Sequence, residues 1–542
     1  MDNVNRRYCR DTLKASSIVT HKPKNATELK KLVKETNISG CGKIKVIGGQ
    51  YTLGSSALPS CTDEIDKMLV IIDLCAMTGV NVIHAGTCTR SDSKNEEHIK
   101  HRPYSPHSTH AVAKVGGGAS MRHLLDKLSG TGYQPGVVPF YGNFCIGAIS
   151  STPFYDISIA NDGHHSQFST DVLEYKMILA DGSQVAVNAM GIIANHDNKG
   201  TRRTGTGIDD RILEDDKDMI YFLRTHQGLL GIVYEVTLNL YPVQLHQVRF
   251  IADDISAIQE IGALHREKSG GNATPMIDHE YLYIYPGCEK FIREKHYRTD
   301  VRNTNAGRKK STLVMNLYQS FFNYWDILCH YFLSVSAVPS FQHGLQMLLV
   351  RWTAFMGHEQ LLPYDRGTLA PSHKKITLAD WHFTLDNVPK AINALNDLCI
   401  RFKRDHGVTA SFISVYFIPK NAAGAGYTSK HDDRYAVDMV TYFPANDKIV
   451  QLEKEWAEIA RAFDGLPAFN KNPDCNFTAV DIRRIYGDLD YERFQNLCHK
   501  YDPQGIFRNP RLNELYQLKK RESPMKASEN KVIPTHFNVS VR

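Results

Sequence analysis

The eleven cysteines, spread from Cys9 to Cys498, form no CxxC pair and no zinc-like ligand spacing. Their number is odd, so no disulfide framework and no metal centre is expected, and a reducing compartment is their simplest home. No run reaches the ~20 apolar residues that a bilayer span requires. The richest stretch, 313–338, is interrupted by Asn316, Gln319, Asn323, Asp326 and His330. Its apolar residues recur at helical spacing, which reads as a core or cap helix. The N-terminus, Met1-Asp2-Asn3-Val4-Asn5-Arg6-Arg7-Tyr8, lacks the apolar segment of a signal peptide, so a cytoplasmic protein is expected. Charge of one sign is scarce too. The net charge is +6 over 542 residues, with Lys and Arg interleaved among Asp and Glu, so nucleic acid is not an implied partner. A GxGxxG fingerprint is absent, which argues against a Rossmann dinucleotide site.

What is present is an ordinary globular composition, 42% apolar and 23% charged, at a length that favours more than one domain. The stretch Lys43-Ile44-Lys45-Val46-Ile47-Gly48-Gly49-Gln50-Tyr51-Thr52 runs a strand into adjacent glycines and a short polar turn. Glycines there let backbone N–H groups approach an anion, although an ordinary tight turn has the same pattern. A cap-like start at Asn25 and a helical period over 25–35 place a helix before it. Residues 68–74 read as a second strand. Residues 84–110 are polar and aperiodic, an inserted loop. Residues 111–120 repeat the strand-into-glycine theme around Gly116-Gly117-Gly118, and 121–129 read as the helix that follows. The small residues Gly147-Ala148-Ile149-Ser150-Ser151 offer amides and hydroxyls to a phosphate. A strand over 172–180 ends in the hairpin signal Asp181-Gly182, and Gly228, Gly231 and Ile232 open another. Together these elements are mixed α+β and point to a large anionic ligand.

Between 246 and 470 alternating strands at 281–285, 412–418 and 436–443 are separated by helices such as 388–402 and 448–463. That suits an antiparallel sheet backed by helices. The basic, polar segment 289–310 reads as a solvated loop, and the tail 521–542 as disordered.

Taken in order, these motifs resemble the FAD-binding half of the vanillyl-alcohol-oxidase superfamily, with its PCMH-type FAD-binding domain, and among them the aldonolactone oxidases. Gly48-Gly49-Gln50-Tyr51-Thr52 stands where that family has Gly-Gly-x-His-Ser, and Gly147 to Ser151, Ala180-Asp181-Gly182 and Gly228 to Ile232 follow. Near the C-terminus Gly465-Leu466-Pro467-Ala468-Phe469-Asn470-Lys471 matches Gly-x-Pro-His-Trp-x-Lys. Tyr486, Arg493-Phe494 and Asp502-Pro503-Gln504-Gly505-Ile506-Phe507-Arg508-Asn509 come after it at family spacing. The resemblance covers about 20–245 and 372–517. It implies an FAD-binding domain over 1–245, a substrate domain over 246–470 and a segment over 471–520 that completes the FAD site. Gly48, Gly49, Gln50, Tyr51, Thr52, Gly117, Gly147, Ser150, Ser151, Gly228, Gly231, Ile232 and Asn509 are then expected to touch the cofactor.

The departures from the family are chemical. The histidine that can carry flavin covalently is Tyr51 here, so non-covalent FAD is expected, with His164, His165 or Cys145 as other attachment points. The family's His-Trp pair is Ala468-Phe469, which implies a less polar substrate wall; by the resemblance the antiparallel sheet supplies that wall, with Tyr283, Tyr416 and Tyr442 as candidates to line it and core packing as the alternative for each. Lys471 is retained and, by the resemblance, places positive charge near the flavin's pyrimidine edge. Asp380-Trp381-His382-Phe383-Thr384 stands in place of Glu-Trp-Ala-Ile-Pro. Residues two apart on a strand face one way, so Asp380 and His382 are the candidate bases, a histidine accepting protons near neutral pH, with a buried pair hydrogen-bonded for stability as the alternative. The implied reaction is hydride removal from a C–H beside an alcohol or amine of a small-molecule substrate, with O2 as the electron acceptor. Sugar-lactone oxidation, oxidative cyclisation, dehydrogenation toward a protein acceptor and flavin binding without turnover stay open, as does the oligomeric state.

Overall fold

A computed structural model describes residues 18–39, 42–47, 68–84, 111–139, 142–156, 166–189, 191–194, 218–243, 245–261, 277–299, 359–360, 377–441, 447–469, 471–472 and 476–518. Gly48 to Thr52, 85–110, His164, His165, 313–338, Tyr442 and the tail 521–542 therefore lie outside the described residues. The architecture is α+β, as the sequence patterns imply, and is built on three sheets.

The first sheet is parallel, in the order β1 (Ile18–His21), β3 (Met68–Asp73), β2 (Gly42–Ile47). Helix α1 (Ala26–Ser39) opens where Asn25 Oδ1 accepts the Glu28 N–H at 2.9 Å. Its Leu29 and Val33 pack with Ile44, Val70 and Ile72. Ile506 and Phe507 complete that core from the far end of the chain, and Ile44 N–H donates to Ile506 O at 2.7 Å.

The second sheet is antiparallel, ordered β4 (Val80–His84), β5 (Ala111–Gly116), β10 (Ile232–Pro242), β7 (Val172–Ile178), β8 (Gln184–Asn188), β9 (Gly191–Ala194), with β6 (Tyr133–Gln134) on the end of β10. Helix α2 (Met121–Leu128) buries Met121, Leu124, Leu125 and Leu128, the 3–4 spacing of one helical face, and Ser120 caps its start. Helices α3 (Ile146–Ser150) and α4 (Met219–Leu223) pack into the same core.

The third sheet carries eight antiparallel strands: β14 (Glu359–Gln360), β11 (Leu245–Asp254), β13 (Lys290–Thr299), β12 (Ile277–Ile284), β16 (Phe412–Ile418), β17 (Arg434–Thr441), β15 (Thr377–Thr384) and β18 (Leu466–Pro467). Strand alternation divides its residues between two cores. Leu282, Ile413, Val415, Val437, Met439, Trp381 and Phe383 face α5 (Val388–His406) and α6 (Asp447–Ala462), meeting Leu395, Phe402, Leu452 and Trp456. Their neighbours, Tyr281, Tyr416 and Ala436, face the opposite way and join the core of the second sheet. The C-terminal helices α7 (Ala479–Tyr486), α8 (Asp488–Tyr501) and α9 (Pro510–Leu515) extend that shared core with Tyr486, Phe494 and Leu512.

One expectation is overturned. Of the segment read as a solvated loop, 290–299 is strand β13, paired on both sides by β11 and β12. Its charges are accommodated because the neighbouring strands supply partners, Arg293 reaching Asp253 at 3.1 Å and Glu280 at 3.2 Å, and because His296 reaches Glu294 on the same strand at 2.7 Å.

Candidate active site

The side chains that carry chemistry gather on the face of the third sheet turned toward the second. Asp380 and His382 sit two apart on β15, so both point away from α5 and α6. Both are fully buried, and His382 Nε2 lies 3.6 Å from Asp380 Oδ1. Tyr155, from the segment after α3, brings its hydroxyl onto Asp380 Oδ2. Tyr416, on β16, reaches the same oxygen at 3.4 Å.

Lys471 completes the group. The chain beyond β18 is pinned under β15 because Asp380 O accepts the Ala468 N–H at 2.9 Å and Asn472 Nδ2–H at 2.6 Å. That anchorage sets Lys471 Nζ 3.2 Å from Asp380 Oδ2, 3.7 Å from Asp438 Oδ2 and 2.5 Å from Tyr416 Oη. The ammonium also lies 4.5 Å from the Tyr155 ring centre and 5.1 Å from that of Tyr416, a cation–π arrangement. Tyr281 extends the aromatic wall, 4.9 Å from Tyr416, and donates to Asp156 at 2.7 Å.

The electrostatics follow from burial and from these neighbours. Burial, and then the charge of Asp380, hold the Tyr155 phenol well above its usual range, so it remains a donor. Burial opposes the charge on Lys471, but Asp380 and then Asp438 outweigh it and raise the ammonium above its ordinary value. Burial lowers His382 to about 4 despite the pull of Asp380. The imidazole is therefore neutral at pH 7. Its Nδ1 meets the Thr428 hydroxyl and its Nε2 faces a carboxylate, which assigns the proton to Nε2 and leaves Nδ1 to accept from Thr428. That arrangement makes His382 a hydrogen-bond donor toward the site. A proton acceptor working near neutral pH was the expectation; desolvation makes the imidazole a weaker base than that.

The cofactor residues predicted from sequence are placed less uniformly. The three main-chain N–H groups of the Gly116–Gly118 turn go to Gly79 O at 2.8 Å, Tyr234 O at 2.7 Å and Met77 O at 3.0 Å. A Cβ on Gly117 would stand 2.5 Å from Val233 O, so its smallness serves the close approach of β5 to β10. Gly147 N–H donates to Gly117 O at 2.9 Å. The hydroxyls of Ser150 and Ser151 each donate, at 2.7 Å, to the carbonyl four residues back. Their lone pairs, not their protons, remain for a ligand. Gly228 and Gly231 adopt positive φ (80° and 148°) in the turn that delivers buried Ile232 into β10. Asn509 caps α9 by accepting the Leu512 N–H at 2.8 Å. Phe469, expected in the substrate wall, packs instead 5.2 Å from Phe477 and 6.2 Å from Tyr516 in the core.

Tyr416, a candidate for the substrate wall, lies in the cluster, and three contributors were not foreseen from sequence: Tyr155, Thr428 and Asp438. Only Asp438 left a signal, a lone carboxylate in the apolar run Tyr435-Ala436-Val437-Asp438-Met439-Val440.

No family model matches the chain, and no curated protein matches it. Solved structures do share its fold. A solvent-stable cholesterol oxidase superposes with a TM-score of 0.63 at 13% identity, over 93% of this chain and 96% of that one. A VAO-type flavoprotein of Myceliophthora thermophila C1 gives 0.58 at 12% identity, over 90% of this chain and 78% of that one. A xylooligosaccharide oxidase of the same organism, solved with xylobiose, gives 0.56 at 12%, over 94% of each chain.

Proposed function

We propose that this chain is an FAD-dependent oxidase that removes hydride from a C–H bond bearing an alcohol or amine in a small-molecule substrate. The observation that carries this reading is the buried Asp380 cluster. Tyr155, Tyr416 and Lys471 all converge on Oδ2 of Asp380, while Oδ1, like His382 Nε2 and Asp438 Oδ1, is buried without a hydrogen-bond partner. Unmet buried polar atoms beside the partly exposed Lys471 point to a ligand that meets them. The fold is one shared with a cholesterol oxidase, a VAO-type flavoprotein and a xylooligosaccharide oxidase, which supports a flavin as that ligand's neighbour.

The donor set fits the group. Lys471 Nζ and His382 Nε2–H are donors suited to the polar edge of a flavin ring, and Tyr155, Tyr281 and Tyr416 form an aromatic surface beside them. FAD, when bound, supplies the hydride acceptor. Asp380 Oδ1 takes the proton from the substrate's O–H or N–H, because Oδ2 is already held by three donors. The ammonium of Lys471 favours negative charge appearing beside it. Tyr155 and Tyr416 keep the carboxylate oriented and exclude water. With Tyr51 in the family's histidine position, FAD is held non-covalently. The tyrosine wall favours a substrate with an apolar or planar body, and sugar lactones belong in the same panel because of the ordered C-terminal motifs.

The test is spectroscopic. Purified protein should be yellow, should release its flavin on acid denaturation, and should bleach anaerobically with one class among alcohols, amines and lactones, forming hydrogen peroxide in air. Asp380→Asn should stay yellow and cease to bleach. Colourless protein reconstituted with FAD without binding it, or Asp380→Asn bleaching at the wild-type rate, would refute the reading.

A further inference from the structure

Asp438 is paired with Asp380 in the register of β17 against β15. Residues directly opposite in an antiparallel pair point to one face with their Cβ atoms about 5 Å apart, and like charges there repel. Asp438 is 4% exposed and Asp380 0%. We infer that these two carboxyls hold a single proton between them at neutral pH, that it sits on Asp438, and that Asp438 thereby positions Lys471 on Asp380.

The charge count points this way first. Among the described residues Lys471 is the one lysine or arginine within 4 Å of either carboxylate. Two buried anions against one cation leave a net negative charge without solvent to screen it, which burial does not tolerate. One proton removes the excess.

The donor geometry then decides which carboxyl takes it. Asp380 receives the Tyr155 hydroxyl, the Tyr416 hydroxyl at 3.4 Å and Lys471 at 3.2 Å. Asp438 has Lys471 only at 3.7 Å, together with a main-chain N–H of Ala379, and its Oδ1 has no hydrogen-bond partner. Ser414 faces it from β16. The remaining ionisable groups around the pair are neutral His382 on β15, Tyr281 on β12, Asp156, whose charge also acts on Lys471, and Arg434 on β17, which donates to the His382 carbonyl at 3.1 Å and acts on the imidazole. None of them places a second cation within 4 Å of either carboxylate. In agreement, burial first and the charge of Asp380 second push the Asp438 carboxyl up to about 8.

Losing the Asp438 proton would divide Lys471 between two anions and put a second negative charge into the site. Asp438 therefore acts through Lys471 and Asp380 as a positioning residue. The proton assignment stands without the proposed oxidase reaction; the positioning of the base rests on it.

The experiment compares wild type with Asp438→Asn in denaturant titrations across pH. A carboxyl whose folded value is raised contributes stability below its unfolded value and loses it as pH climbs through the folded one. The unfolding constant of wild type relative to Asp438→Asn should thus rise about tenfold per pH unit between about pH 5 and about pH 7 and level off above about pH 8. A ratio that does not change with pH overturns the proton assignment. Should Asp438→Asn fail to fold, carbon-13 aspartate labelling of wild type decides instead. One carboxyl carbon should keep a protonated shift at neutral pH and lose it in alkali, and a full set of ionised shifts at pH 7 overturns the assignment. A second arm follows anaerobic flavin reduction: wild type should slow above about pH 8 and Asp438→Asn should not. Identical profiles overturn the positioning role, whatever the proton count, and absence of any reduction in wild type counts against the oxidase reading instead.

Discussion

Replacing Lys471 with methionine keeps the aliphatic stem and removes the ammonium. The group lost lies 3.2 Å from Asp380 Oδ2 and 2.5 Å from Tyr416 Oη. At an effective dielectric of about 20, one pair at that separation is worth about 5 kcal/mol before desolvation is returned. The side chain keeps 26% exposure, which screens part of it. Removing one partner from a buried pair typically costs about 3–5 kcal/mol, and the exposure places Lys471→Met near about 3 kcal/mol at neutral pH. The second carboxylate adds little there, because Asp438 holds a proton. In acid, where the carboxylates are protonated, the loss should shrink toward zero. Urea unfolding followed by tryptophan fluorescence at neutral and acid pH measures both numbers. Flavin reduction should fall about a hundredfold or more, the usual effect of deleting one preorganised donor. A loss below about 0.5 kcal/mol at neutral pH, or the same loss in acid, would refute the electrostatic account.

Three further outcomes follow from the geometry. A Cβ on Gly118 would lie 1.7 Å from Leu74 O, a main-chain atom that cannot swing aside, whereas one on Gly79 meets nothing within 4 Å. Gly118→Ala should therefore cost about 3 kcal/mol and Gly79→Ala almost nothing in thermal denaturation, and equal losses would contradict the packing. Asp502 accepts the N–H groups of Ile506 at 2.8 Å and Phe507 at 3.0 Å, so Asp502→Ala strands two buried donors at about 2–4 kcal/mol. Hydrogen exchange should then speed up at Ile44, whose N–H is held by Ile506 O; unchanged protection would show the two ends independent. Thr428→Val removes the donor to His382 Nδ1 and should slow flavin reduction about tenfold, with Thr428→Ser restoring it. Equal rates in the valine and serine variants would remove the hydroxyl from the account.

Much of the architecture was legible because it is written locally. Strands β16 and β17 are legible from their own residues, β15 from its resemblance to a family strand, and the 3–4 spacing of Leu395, Leu398, Cys399 and Phe402 marks α5. Strand geometry then placed Asp380 and His382 on one face. Strand β13 was not legible, since its basic, polar sequence looks solvated until Asp253 and Glu280 on adjacent strands are known to face it. The glycine turns show the opposite limit. Gly-Gly-Gly after a strand announces close approach, but not whether a ligand or another strand does the approaching. At Gly117 it is the backbone of β10.

Sequence alone determined many of the elements, the α+β class, the facing of Asp380 with His382, and the presence of a lysine at position 471, because each depends on residues a few positions apart. Tertiary structure decided what those residues are chemically. Tyr155 is 225 positions from Asp380, Tyr416 is 55 from Lys471, and Asp438 meets Asp380 only through strand register. Burial disfavours the charged form of His382 and raises the Asp438 carboxyl. Protonation state depends on solvent exclusion and on charges a few ångströms away, and neither quantity exists until the second and third sheets close on each other.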